Sequence, residues 1–222
     1  MSKISLKHSG GNVVSLNSPT SAPTSADVAF KLPNADGTNG QVLKTDGSGN
    51  LSFGEDTGGK ILQVVQTVKT SFFSTTSTSS DGVEVTGLNV AITPTSSSSK
   101  ILVKVSGYYG NGNDDSFATL FLARQIDSGS TDTGIAVGDA RGSSTRGTMS
   151  AGLRNGGGDS STVCRYFGCE FLDSPNTTGV CTYKVFMVVI QGTPASIGGT
   201  QNDGDANHQS YPTFITAKEV AA

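Results

Sequence analysis

Acidic side chains are the residues of this chain that could most readily do chemistry, because paired carboxylates serve glycoside hydrolysis and also bind hard cations. They lie in turn-like sequence rich in Gly, Asn and Ser, at Asp114, Asp115, Asp159, Asp173, Asp203 and Asp205. The sequence shows no two of them at the separation that a glycosidase needs. Neither Asp114–Asp115 nor Asp203–Asp205 has the spacing of a calcium-binding loop. We therefore interpret these residues as turn formers and predict no metal site.

Other catalytic residue types are scarce. The chain has two histidines, His8 and His208, and it contains no nucleophile elbow, no phosphate-binding Gly-x4-Gly-Lys-Ser/Thr loop and no His-Glu-x2-His motif. We predict that the protein is not an enzyme, has no catalytic residues and uses no cofactor. A glycan depolymerase that uses the carboxylates is the enzymatic alternative, and the release of new reducing ends from host polysaccharide would reveal it.

Polar loops bordered by tyrosines are the better candidates for function. Loops on a rigid sheet commonly carry recognition, and carbohydrate binding combines polar side chains with a flat ring. We predict that the Tyr108–Ser116 and Ile197–Tyr211 loops bind a glycan; the alternative is that they are merely solvated turns. The candidate ligand-binding residues are Tyr108, Tyr109, Asn111, Asn113, Asp114, Asp115, Asn202, Asp203, His208 and Tyr211. For Arg141 and Arg146 we favour pairing with loop carboxylates over contact with an anionic sugar.

The segments that would position these loops have the pattern of β-strands. From Lys60 onward, apolar stretches recur about every ten residues between turn clusters, with no competing helical period. The predicted strands are Ile61–Val68, Val83–Val85, Leu88–Thr93, Lys100–Tyr108, Phe117–Ile126, Gly134–Val137, Val163–Leu172, Cys181–Gln191 and Thr213–Val220. Eight or nine strands with long connections predict an all-β fold, a jelly-roll-like antiparallel β-sandwich.

Two of these strands are apolar on both faces. In Phe117–Ile126 and Cys181–Gln191 the apolar residues do not keep to alternate positions, although a two-layer sandwich buries only one face of each sheet. The second face needs a cover, and we predict that neighbouring subunits supply it through Leu120, Leu122, Phe186, Val188 and Ile190. A long loop of the same chain is the alternative cover.

The segment 33–58 contains a very short apolar strand, Gln41–Lys44, between Asp-Gly and Asn-Gly turn signals. A segment this small cannot build a core of its own. We predict an intertwined neck in which Val42, Leu43, Leu51 and Phe53 meet the same residues of other copies.

Sparse apolar residues mark the first 32 residues, around a Pro/Ser/Thr-rich linker at 17–25. We predict an extended segment that docks on another protein through Ile4, Leu6, Val13, Val14 and Leu16; the alternative is a flexible tail. The polar hinge 54–59 is the best domain boundary. The predicted organisation is therefore an anchor at 1–32, a neck at 33–58 and a head at 59–222.

Composition excludes several classes of partner. Of the 222 residues only 15% are charged, and the net charge of −3 argues against nucleic-acid binding. The longest apolar run, Val185–Ile190, is too short to cross a membrane as a helix, and the first residues do not resemble a signal peptide. Cys164, Cys169 and Cys181 are odd in number and lack a metal-site spacing, so we expect reduced thiols in a protein made in the host cytoplasm.

The stretch Leu32–Gly54, with its lead-in from Ile4, resembles a segment that recurs in tail fibres and fibre-like virion proteins of tailed bacteriophages. The resemblance covers residues 3–54, and the closing strand Thr213–Val220 is similar to the last strand of fibre heads. It implies a homotrimeric fibre of the virion with the head outermost, attached to other virion proteins by its N-terminal segment. We expect a short tail fibre or spike for host attachment. Because the chain lacks the long shaft of most tail fibres, a head fibre or capsid decoration protein is the alternative.

Overall fold

The computed structural model describes residues 3–7, 9–11, 13–17, 21, 30–56, 61–111, 117–152, 164–191, 194–201 and 209–221. The chain forms two compact units, Met1–Asp56 and Thr57–Ala222. The described residues contain strands, turns and loops but no helix, which confirms the all-β prediction.

The described residues of the two units form fifteen strands. The first unit contains β1 (Lys3–Lys7), β2 (Val13–Asn17), β3 (Gln41–Thr45) and β4 (Leu51–Glu55). The second contains β5 (Ile61–Lys69), β6 (Phe73–Thr75), β7 (Val83–Ile92), β8 (Lys100–Asn111), β9 (Phe117–Ile126), β10 (Thr131–Thr133), β11 (Met149–Gly152), β12 (Cys164–Asp173), β13 (Cys181–Gln191), β14 (Ala195–Ile197) and β15 (Thr213–Val220).

The first unit consists of two antiparallel hairpins, β1–β2 and β3–β4. The turn between β3 and β4 is organised by Asp46, whose carboxylate accepts hydrogen bonds from the backbone N–H groups of Ser48 (2.7 Å) and Asn50 (3.1 Å) and from Asn50 Nδ2. Gly47 and Gly49 supply the positive φ angles of 76° and 89°. The hydrogen bond from the Asn50 side chain, followed by that from Ser48, lowers the pKa of Asp46. The turn signals in the sequence therefore do form a hairpin, and the strand is one residue longer than predicted.

The second unit is a jelly roll. Its strands pair in nested antiparallel couples: β5 with β15, β7 with β13, β8 with β12, and β9 with both β10 and β11. Because β15 also pairs with β8 and β13 also pairs with β9, two sheets result. One, the β8 sheet, has the order β5–β15–β8–β12, and in it β14 also pairs with β8 and β6 pairs with β14; the other, the β9 sheet, has the order β7–β13–β9–β10/β11. Rolling nested pairs into two facing sheets is the architecture that the sequence predicts.

Alternate residues of the long strands form the core between the sheets. On β8 the inward side chains are Ile101, Val103 and Val105, and on β15 they are Ile215 and Ala217, all fully buried. The outward residues of the same strands are half-buried or exposed. This is the period of two that a half-covered antiparallel sheet requires.

Several predicted strand boundaries were wrong. The predicted strands Val83–Val85 and Leu88–Thr93 are one strand, β7, interrupted by a register shift opposite β13 at which Gly87 has a φ of 80°. The predicted strand Gly134–Val137 is a turn and loop. The short strands β6, β10, β11 and β14 were missed, because segments of three or four residues are too short to show a period.

A buried polar network joins the two sheets at one end of the sandwich. Asp173, on β12, accepts two hydrogen bonds of 2.8 Å from the Arg124 guanidinium and one of 2.7 Å from the Tyr183 hydroxyl. Arg124 and Tyr183 belong to the facing β9 sheet. Burial, reinforced by the hydrogen bond to Asp173, raises the pKa of Tyr183 far above its ordinary value, so the phenol remains a donor.

A second buried carboxylate, Glu219 on β15, fixes the loop between β7 and β8. Its oxygens accept hydrogen bonds of 2.7 Å from Gln63 Nε2, from the Thr95 backbone N–H and from the Thr95 hydroxyl. Burial alone would raise the pKa of Glu219, but the hydrogen bonds from Gln63, Thr95 and Ser99 outweigh it and lower the pKa below its ordinary value. The carboxylate form is therefore part of the folded structure.

We predict that Asp173→Asn destabilises the head by about 3 kcal/mol, because Arg124 then faces a neutral amide in a largely buried site. Tyr183→Phe removes one hydrogen bond and leaves the ion pair, so it should cost only about 1 kcal/mol. Denaturant unfolding of the two variants measures the difference. Equal costs would show that the carboxylate is not the centre of the network.

We predict that Glu219→Gln lowers the free energy of unfolding by about 1–3 kcal/mol at pH 7. Because the pKa of Glu219 is lowered by folding, its stabilisation is full above the unfolded-state value of about 4.3 and is lost as the pH falls through the folded-state pKa. The gap between wild type and variant should therefore narrow in acid. Unfolding midpoints measured from pH 7 down to about pH 3 test this, and a gap independent of pH would contradict it.

Candidate functional site

Three tyrosines cluster on the outer face of the β8 sheet. The rings of Tyr108 and Tyr211 stack with centroids 4.4 Å apart at 29°, and Tyr166 meets Tyr108 edge to face at 5.8 Å and 75°. Tyr166 and Tyr108 are direct cross-strand partners on β12 and β8, and the Tyr211 hydroxyl donates a hydrogen bond of 2.6 Å to Gln209 Oε1. We call these three residues the tyrosine cluster. Mutual ring contacts hold it in one geometry.

Tyr166 is the solvent-facing member of the tyrosine cluster, with 61% of its surface exposed. Its hydroxyl end lies over Gly168, 2.7 Å from the position that a Cβ of residue 168 would occupy. The side chain therefore lies along the strand rather than standing away from the sheet. Ser106 is the cross-strand partner of Gly168, and Lys104 and Glu170 form the next pair. A flat ring bordered by hydroxyl and charged groups can stack on a sugar and hydrogen-bond its hydroxyls.

The structure brings together part of the predicted ligand-binding set. Tyr108 and Tyr211 come from different predicted loops and lie in contact. Tyr109, however, is buried in the core, so its assignment to a binding surface was wrong: it continues the inward alternation of Val103 and Val105. Asn111 is the last residue of β8 and pairs with Ala195. Asn113, Asp114, Asp115, Asn202, Asp203 and His208 lie outside the described residues.

Sequence reasoning missed Tyr166. The signal was present, since Tyr166, Gly168 and Glu170 alternate with the inward residues Phe167 and Cys169 and so face outward. What the sequence did not give was the strand register, which sets Tyr166 opposite Tyr108.

The neck hairpin exposes apolar side chains on both faces. Leu43 and Phe53 are cross-strand partners and are 51% and 41% exposed, and Val42, on the opposite face from Leu43, is also exposed. Leu51 is half-buried, beside a groove of about 480 Å³ between residues 31–36 and β4. No described side chain in the first unit is buried. The hairpin is thus left without the core that two strands need for stability.

The predicted trimer contacts of the head require a correction. Leu120 and Leu122 are fully buried in the chain's own core, facing inward between the sheets, so they cannot meet another subunit. Val188 is buried as well. The segment 77–82 lies beside it: Ser77 accepts a hydrogen bond from the Val189 N–H at 2.9 Å, and a Cβ at Gly82 would lie 3.2 Å from Val188. Phe186 is half-buried and Ile190 is exposed.

Of the predicted anchor residues, Leu6 and Val13 are exposed on the β1–β2 hairpin. Ile4, Val14 and Leu16 belong to the same hairpin, but their side chains lie outside the described set. Residues 1–32 were predicted to be extended, and the structure adds the pairing of β1 with β2.

Comparison with known proteins gives a weak likeness to virus structures. A structure of infectious bursal disease virus, Gt strain, matches with a TM-score of 0.41 and 13% identity over 90% of this chain and 48% of the other. A VP2 subviral particle of the same virus matches with a TM-score of 0.37 and 12% identity over 95% and 49%. The chain thus spans about half the length of these chains. No protein-family model and no curated protein matches it. Likeness at these TM-scores carries no argument about function.

The described residues offer few groups that could bind a metal ion or act as a nucleophile. They hold no group of three or more His, Cys, Asp or Glu side chains placed to bind a metal ion, and they form no helix that is long and apolar enough to cross a membrane. Cys164, Cys169 and Cys181 are free thiols, and burial raises the pKa of each. Arg146 donates a hydrogen bond of 2.6 Å to the Gly138 carbonyl, a backbone rather than a carboxylate partner.

Proposed function

We propose that the protein is a structural component of a tailed-phage virion, a short homotrimeric fibre or spike that attaches the particle to a host-surface glycan. In this proposal residues 1–32 bind other virion proteins, residues 33–58 form the neck, and the jelly-roll head faces the host. The support for each part is separate: the fibre-like segment Leu32–Gly54 for the class, the uncovered neck for oligomerisation and the tyrosine cluster for attachment.

The observation that carries the proposal is the absence of any buried side chain in the described part of the first unit. Water-exposed apolar residues on both faces of one hairpin make a monomeric neck unfavourable. Identical copies wound around one axis cover all of these faces at once, because each copy supplies the surface that its neighbour needs.

Attachment through the tyrosine cluster fits the jelly-roll scaffold. Double-sheet jelly rolls serve as both capsid and lectin domains, so the fold alone does not decide the function. The exposed ring of Tyr166 is available for stacking, and its neighbours supply donors and acceptors for sugar hydroxyls. Weak single sites suffice, since three copies per fibre add avidity.

A head fibre or capsid decoration protein is the second candidate. The shortness of the neck favours it, because β3 and β4 have five residues each and form no long shaft. The two candidates differ in the partner of the N-terminal hairpin. Pull-down of capsid and tail proteins with the full-length chain distinguishes them, and Leu6→Asp, which places a charge on the exposed face of the hairpin, is the matching control.

We predict that the full-length protein sediments as a trimer and that Leu43→Asp shifts it to smaller species, because a carboxylate cannot be buried against the neighbouring necks. Ser48→Asp adds the same charge to the exposed turn between β3 and β4, outside both apolar faces of the hairpin, and should remain trimeric. Analytical ultracentrifugation at micromolar concentration measures both. A wild-type chain that sediments as a stable single subunit contradicts the proposal.

We predict that Tyr166→Ala weakens binding to host-surface glycans by about tenfold, equivalent to about 1.4 kcal/mol, whereas Tyr166→Phe retains the stacking face and binds like the wild type. Leu172→Ala, on the same outer face but away from the tyrosine cluster, is the control. A glycan array with labelled full-length protein provides the measurement. Undiminished binding by Tyr166→Ala would exclude the tyrosine cluster as the attachment site.

A further inference from the structure

An apolar stripe lies along β5 at the edge of the β8 sheet. Ile61, Leu62, Val64 and Val68 are all exposed there, and we call these four residues the β5 stripe. Among the described residues, β5 pairs with β15 alone. No described strand pairs with its outer edge, and exposed aliphatic side chains lie beside that edge.

The two edge strands of the β8 sheet, β5 and β12, differ in their exposed charges. At the other edge β12 carries the exposed charges of Arg165 and Glu170, which is how natural sheets discourage pairing with other chains. β5 has a single charged residue, Lys69, and its side chain is buried and donates a hydrogen bond of 2.7 Å to Ser71 Oγ. An apolar edge strand without exposed charge is a surface for association.

We propose that the β5 stripes of neighbouring copies pack against one another, so that the heads are held together around the axis defined by the neck. The inference rests on the proposed homotrimer. Contacts between β5 stripes take the place of the predicted contacts through Leu120 and Leu122, which are buried within each head.

The size of the β5 stripe indicates a second copy of the chain rather than a foreign partner. A standard interface buries about 20–30 residues on each side, and four side chains on one strand fall far short of that. A freely diffusing partner would bind such a surface weakly. Copies joined at the neck need much less, because residues 56–60 span at most about 20 Å and a short tether gives a high effective concentration.

The β5 stripe is uncharged, as is expected of a surface that packs against identical copies of itself. Around a symmetry axis each residue faces its equivalents, so a charge on the stripe would face like charges. All four residues of the stripe are uncharged, and Gln66, which lies between Val64 and Val68 on the strand, is uncharged as well.

Val64 and Leu172 provide a matched pair for the test. They lie in one cross-strand row, Leu172–Leu102–Lys218–Val64, at opposite edges of the sheet. Their exposures are similar, 57% and 47%. A short bis-maleimide applied to the full-length protein should crosslink Val64→Cys into dimers and trimers. Leu172→Cys should show no more crosslinking than the wild type, which controls for the three natural cysteines.

The outcomes separate this inference from the proposed function. If the protein sediments as a trimer but Val64→Cys does not crosslink beyond Leu172→Cys, the β5 contact is wrong and the neck-based trimer stands. If the protein is a single subunit, both fail. In a second measurement, Val64→Glu should remain trimeric through its neck but show less amide-exchange protection within residues 61–69 than the wild type, while Leu172→Glu keeps the wild-type protection; equal protection in the two variants overturns the inference.

Discussion

The pairing of β15 with both β5 and β8 is the constraint on which the head depends. β15 lies between β5 and β8 in one sheet, and this pairing closes the roll. The inward residues Ile215 and Ala217 fill the core, and Glu219 fixes the β7–β8 loop from the same face. β15 thus contributes to sheet pairing, core packing and loop geometry. Its register also determines which outward residues lie in the cross-strand row that contains Val64 and Leu172.

The two units satisfy their apolar residues in opposite ways. The head encloses a continuous core between its sheets, whereas the described part of the first unit buries no side chain. The physical reason is size: two hairpins cannot enclose a volume that excludes water. In the proposed trimer, other copies of the chain would cover both exposed apolar surfaces, the neck hairpin and the β5 stripe.

Buried polar groups and exposed aromatic groups have separate tasks in the head. Asp173 and Glu219 are engaged by hydrogen bonds and hold sheets and loops in place. The tyrosine cluster, in contrast, rests on the outside of a rigid sheet and leaves Tyr166 open to solvent. The position of the tyrosine cluster depends on the register of β8 and β12.

The sequence by itself determined the class of fold, nearly all of the long strands and the β3–β4 hairpin, because periodicity and turn chemistry are local properties. Alternation along β8 from Val105 could also have placed Tyr109 in the core. Alternation along β15 from Ala217 could likewise have placed Glu219 on the inward face. Only the tertiary structure decided which face of β9 is inward, so that Leu120 and Leu122 belong to the core, and which strands are neighbours, so that Tyr166 joins Tyr108. A strand that is apolar on both faces gives no local signal of its inner side, since that choice is made by the partner sheet.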